Sequence, residues 1–133
     1  MKSLTSKERI QKALNHETPD KVPLDMGSTG VTGVHCLIVE KLREYYGLEK
    51  KPVKVIDPYQ MLGEVDEELI DIIGIDVIGA GGRNNMFGFP NEKWKKFTTP
   101  WGQTVLVGEQ FNYSYDDDGS ILIHPQGDTS APP

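Results

Sequence analysis

The chain has 133 residues, a mass of 14.8 kDa and a net charge of −6. The acidity excludes a general nucleic-acid face, which needs cations against phosphate. The single cysteine excludes an internal disulfide framework. No apolar run reaches the roughly 18 to 20 residues that span a bilayer, and the first residues show no signal-peptide h-region. A cytoplasmic protein is expected.

Thr5 and Glu8 have the spacing of a capping box. Ile10, Ala13 and Leu14 then recur at helical spacing until Pro19, which predicts a helix over 6–16. Residues 22–26 (VPLDM) alternate apolar and polar and predict a short strand, with Pro23 tolerated near its start. Gly27, Gly30 and Gly33 punctuate the following loop, and Val34, Leu37, Ile38, Leu42 and Tyr45 mark a helix that Gly47 ends.

Asp57-Pro58 combines a capping carboxylate with proline at the first helical position. A third helix is predicted from there through Leu62, Val65, Leu69 and Ile73 to Gly74. Residues 75–78 (IDVI) read as a strand, followed by the glycine loop Gly79-Ala80-Gly81-Gly82-Arg83. The strand–helix–helix–strand order predicts an α/β fold with a mostly parallel sheet, in which 22–26 and 75–78 are parallel members. Beyond Asn84 come short β-rich runs over 94–97, 104–107, 111–115 and 120–124. Pro100-Trp101-Gly102 and Asp118-Gly119 separate them as turns, which predicts an antiparallel meander. The expected organisation is 1–90 as helix and first β/α units, 91–125 as a β-meander insertion and 126–133 as a loop. A complete eight-stranded β/α barrel typically needs about 250 residues. A chain of 133 residues cannot complete one and reads as a fragment.

Four residues are candidates for substrate binding: Asp25, Gly30, His35 and Arg83. If the two strands are parallel, Asp25 and Arg83 follow their C-terminal ends and face one crevice. Asp25 would then position a donor and Arg83 would hold a carboxylate, against the alternative of a turn residue and a solvated cation. Gly30 belongs to a loop that brings backbone amides near a ligand, or simply needs unusual backbone angles. His35 sits where a loop enters its helix. Cys36 beside it is expected to be a packing residue, since adjacent helical positions diverge and no second cysteine completes a zinc set. No metal site and no catalytic residue is assigned. The aromatics Trp94, Phe97, Trp101, Phe111, Tyr113 and Tyr115 fit cross-strand packing, or an oligomer or substrate surface.

Residues 8–17 (ERIQKALNHE), followed by 19–23 (PDKVP), resemble the opening of the uroporphyrinogen decarboxylase superfamily, and 69–77 (LIDIIGIDV) resemble that family's entry to its next strand. Residues 99–102 (TPWG) and 124–125 (HP) resemble a divergent branch that inserts a hairpin here. The resemblance covers about the first third of a family member. It implies the N-terminal portion of a β/α (TIM-type) barrel with the meander as an insertion, and one of two activities: cofactor-free decarboxylation of uroporphyrinogen III in porphyrin biosynthesis, or zinc-dependent methyl transfer between a corrinoid and a thiol. The decarboxylases' arginine-rich motif after the first strand is here residues 27–35, without arginine, and their essential aspartate falls in Gly79-Ala80-Gly81-Gly82. The resemblance therefore implies a methyltransferase-branch or other divergent enzyme when intact, inactive as this chain alone. Zinc and corrinoid would belong to the intact protein, and the partner would be a small-molecule substrate or a corrinoid protein. A non-catalytic binding module built on the meander is the reading from another class.

Overall fold

The computed structural model describes residues 3–133. Met1 and Lys2, at the head of the expected 1–90 unit, lie outside the described residues. The capping box forms as its spacing predicts: Thr5 Oγ1 accepts from the Glu8 amide at 3.3 Å, and Glu8 accepts from the Thr5 amide at 2.8 Å. Helix α1 spans Ser6–Leu14 and is shorter than the predicted 6–16. His16 has φ 59° and turns the chain out of the helix before Pro19. The expected apolar stripe does not seat it. Leu14 is exposed, and the buried residue of α1 is Arg9.

The strand expected at 22–26 is an extended segment outside any sheet. So is 75–78. Pro23 has no N–H to donate, and the Leu24 amide donates to the Asp76 carboxylate at 3.0 Å instead of to a carbonyl. One backbone bond joins the segments, Asp76 N–H to Leu24 O at 2.8 Å. They do run in the same direction, since Leu24 meets Asp76 and Ser28 meets Gly79. A Cβ at Gly79 would collide with the Ser28 carbonyl oxygen, so the close approach requires glycine there.

Two-residue strand β1 (Val34–His35) leads into α2 (Cys36–Tyr45). Gly47 (φ 68°) closes α2 as predicted, with Gly47 N–H on Glu44 O and Leu48 N–H on Arg43 O. These are the two bonds of a Schellman cap. The buried face is Cys36, Val39 and Arg43, whereas Ile38 and Tyr45 of the expected stripe are exposed.

Strand β2 (Val53–Asp57) follows the polar connector, where no strand was expected. The predicted helix start at Asp57 is a turn. Asp57 Oδ1 accepts from the amides of Tyr59 and Gln60 at 2.9 and 3.2 Å, but the chain then enters β3 (Leu62–Gly63). A Cβ on Gly63 would lie 2.6 Å from Val53 Cγ1 and 3.0 Å from the Cys36 Cα, so glycine lets α2 sit on the sheet. Helix α3 (Glu67–Ile73) begins later, capped by Asp66, and ends at Gly74 as predicted.

Strands β4 (Lys95–Thr98) and β5 (Thr104–Val107) form a hairpin. It is not part of a separate meander. β5 pairs in parallel with β2, giving a five-stranded sheet in the order β1-β3-β2-β5-β4. That sheet is mixed, with β2–β5 its parallel pair, so the expectation of a mostly parallel sheet is corrected. Strands β6 (Tyr113–Tyr115) and β7 (Ile121–Ile123) form a separate two-stranded hairpin with the predicted Asp118-Gly119 tip. The core gathers on the sheet from Val39, Val55, Leu69, Phe89, Phe97, Val105, Val107 and Phe111. No described helix is long and apolar enough to cross a membrane.

Candidate functional site

Arg9 carries the geometry of the N-terminal region. Its Nε and Nη2 donate to Asp20 at 2.7 and 2.9 Å, its Nη2 also donates to Leu4 O at 2.8 Å, and its Nη1 pairs with Asp76. The two hydrogen bonds to Asp20 are a bidentate fork of the kind a planar guanidinium suits. The Asp20 carboxyl is held well below the usual carboxylate range, chiefly by Arg9. Burial pushes the Asp76 carboxyl up, but the Leu24 amide, Ser6 and Arg9 outweigh it and hold it low. The Arg9 guanidinium is held charged.

This clamp aligns the two extended segments, and their ends open onto one concavity of about 420 Å³. Met26, Gly27 and Ser28 form one lip, and Val77, Ile78, Gly79, Gly81 and Gly82 form the other. Ile56, Val65 and Ile70 supply apolar wall. Asn84, Asn85, Asn91 and Glu64 supply polar groups. Two of those asparagines are fixed in a chain: the Phe87 amide donates to Asn85 Oδ1 at 3.0 Å, Asn85 Nδ2 to Asn91 Oδ1 at 3.1 Å, and Asn91 Nδ2 to Ile56 O at 2.6 Å. Glu64 lies 3.4 Å from Lys54 Nζ.

None of the four sequence candidates lines this pocket, although their neighbours do. Asp25 turns into its own loop and accepts from Ser28 Oγ at 2.6 Å and Thr32 Oγ1 at 3.2 Å. Gly30 is exposed and faces the Asp57 turn, with its missing Cβ 3.7 Å from Gln60 Nε2 and 3.9 Å from Asp57 Oδ2. His35 caps α2 through Nδ1, which accepts from the Leu37 amide at 3.2 Å, and its ring packs on Trp101. Arg83 is exposed beside the pocket-lining Gly82 and Asn84. Sequence reasoning thus found the two loops and missed Ser28, Glu64 and the three asparagines. The one local sign of the asparagines is Asn84-Asn85, directly after the second glycine loop.

Cys36 is the packing residue expected. It is fully buried on the same helical face as Val39, and burial pushes its thiol up to about 11. Its Sγ donates to Gln103 Oε1 at 3.4 Å, while Gln103 Nε2 donates to Cys36 O at 3.1 Å. With Cys36 and His35 both engaged in the fold, these residues do not fit a zinc centre, and no group of three or more His, Cys, Asp or Glu able to hold a metal occurs among the described residues. In comparisons with known proteins, no family model, no curated protein and no solved structure matches the chain.

Proposed function

We propose that this chain is the opening part of a uroporphyrinogen-decarboxylase-like barrel enzyme of the methyltransferase or another divergent branch, acting in the cytoplasm on a small molecule or with a corrinoid protein. One observation carries the reading. Arg9, Asp20 and Asp76 come from the three separate stretches that resemble the family, and they converge on one clamp. Residues far apart in sequence that meet in one ion cluster give the resemblance a physical reason: the motif holds the first helix against two parallel extended segments. The loops after those segments form the pocket, as the loops after barrel strands form the mouth in that architecture. Zinc and corrinoid, where the reaction uses them, would be held by residues outside this chain.

Decarboxylation of uroporphyrinogen III is the weaker alternative. The pocket lining contains no Lys or Arg, and each lost charge-assisted contact to a substrate carboxylate is worth about 1.5 to 3 kcal/mol. The test uses the reading frame continued past Pro133. The encoded polypeptide and the 133-residue chain are each incubated with methylcobalamin and a thiol, and separately with uroporphyrinogen. Methyl transfer by the longer polypeptide is the expected result. Coproporphyrinogen formation would replace this reading with the decarboxylase one, and a frame without a His-x-Cys pair and a distant cysteine would remove the methyltransferase branch.

A further inference from the structure

We infer that the pocket between the two glycine loops selects an uncharged, hydrogen-bonding small molecule bearing an amide or hydroxyl, and rejects carboxylates and phosphates; this rests on the reading of that pocket as the ligand site. Its polar lining is neutral apart from Glu64, and contains no Lys, Arg or His. Glu64 is already paired with Lys54, so it offers a cation little uncompensated charge. An anion entering the pocket would give up hydration, approach Glu64 and meet no cation among the lining residues in exchange, which is the costly case for burying charge.

A neutral polar group meets the opposite situation. A primary amide side chain has two N–H donors and an oxygen with two lone pairs. In the chain from Phe87 to Ile56, Asn85 and Asn91 each spend one N–H and one lone pair on the protein. Each therefore keeps one donor and one acceptor in an orientation fixed before any ligand arrives. That arrangement answers an amide or hydroxyl, which also both donates and accepts. The apolar wall of Ile56, Val65 and Ile70 leaves the rest of such a molecule a dry surface. The volume, about 420 Å³, lies in the range of small-molecule sites, about 300 to 1,000 Å³.

The test is an isotope-edited NMR titration of the 133-residue chain with a matched pair of probes, benzamide and benzoate. Benzamide is expected to shift the amides of Gly79 to Gly82 and the side-chain signals of Asn85 and Asn91. Benzoate should bind there at least about tenfold more weakly, the equivalent of about one charge-assisted contact. Gly81→Val provides the control, because Gly81 lines the pocket and a Cβ there has nothing within 4 Å, so the lining is altered without a clash. It should abolish the benzamide shifts while the rest of the spectrum stays in place. Benzoate binding as tightly as benzamide, with Gly81→Val blocking both, would overturn the selectivity and leave the pocket standing as a site. Shifts from neither probe, or shifts that Gly81→Val leaves unchanged, would overturn the pocket itself.

Discussion

The N-terminal region and the sheet are held together by different physics. Helix α1 and the extended segments centre on one guanidinium, Arg9, shared among Asp20, Asp76 and a carbonyl. Val22 and Ile78 on those segments remain 85% and 75% exposed. The sheet centres on apolar side chains, with Val55, Val105, Val107, Phe89 and Phe111 all essentially sealed. Apolar burial is non-directional and sums over many contacts, so it makes one cooperative body. A buried charge cluster is directional and depends on every member, because removing one leaves its partners desolvated and unpaired. The difference predicts that α1 and the two segments it clamps loosen while the sheet stays folded.

The comparison is broken most severely at the sheet. Phe111→Ala removes a fully buried ring that packs on Phe97 at 5.2 Å and on Tyr113 at 5.6 Å. It should cost about 3 to 5 kcal/mol. Urea unfolding followed at β2 and at β5 should shift equally, and a shift confined to one of the two strands would contradict a cooperative core. Next comes Arg9→Met, which leaves the Asp76 side chain, 1% exposed, without its ion partner. Amide exchange in α1 should speed up by roughly a hundredfold while β5 amides keep their protection. Loss of protection in both regions would show that the clamp also supports the sheet.

Acid sharpens the same contrast with a smaller effect. Asp20 and Asp76 both have folded-state values below the ordinary carboxylate, so they bind fewer protons folded than unfolded. Their stabilising contribution is complete above the unfolded value of about 3.9 and declines as pH falls toward the folded values. Protection in α1 should therefore be flat from pH 7 to about 5 and fall below about pH 4. Arg9→Met should abolish that step. A loss of α1 protection centred near pH 6 would point to a histidine instead. The smallest effect is expected from Thr5→Ala, which deletes one half of the capping box. It should destabilise α1 by about 1 kcal/mol, leaving β5 exchange unaltered.

The candidate site was half legible. Both glycine loops were found because glycine runs between apolar segments are strong local punctuation. Asp25 and Arg83 fall one residue away from the ones that line the pocket, since Asp25 satisfies its own turn and Arg83 faces solvent. The asparagine chain was invisible because Asn91 meets Ile56 at a separation of 35 residues, and neither position carries a periodic signal. The apolar pattern of α1 misled for a related reason. Leu14 repeats at helical spacing, yet the helix is seated by a charge whose partner Asp76 lies 67 residues away.

The sequence by itself determined the features closed within one turn of chain: the Thr5–Glu8 box, the Gly47 and Gly74 helix ends, the Asp118-Gly119 hairpin tip and the inward place of Cys36. Each depends on a side chain and a backbone group a few residues apart, or on one helical face, so residue type and spacing suffice. Only the tertiary structure decided that 53–57 is a strand, that it pairs in parallel with β5, and that 22–26 and 75–78 stay outside the sheet. Strand pairing joins backbone groups that every residue carries, so the choice of partner follows from which apolar faces can be buried together. Val53 and Val55 bury themselves against β5, whereas Leu24 spends its amide on a carboxylate that Arg9 holds in place.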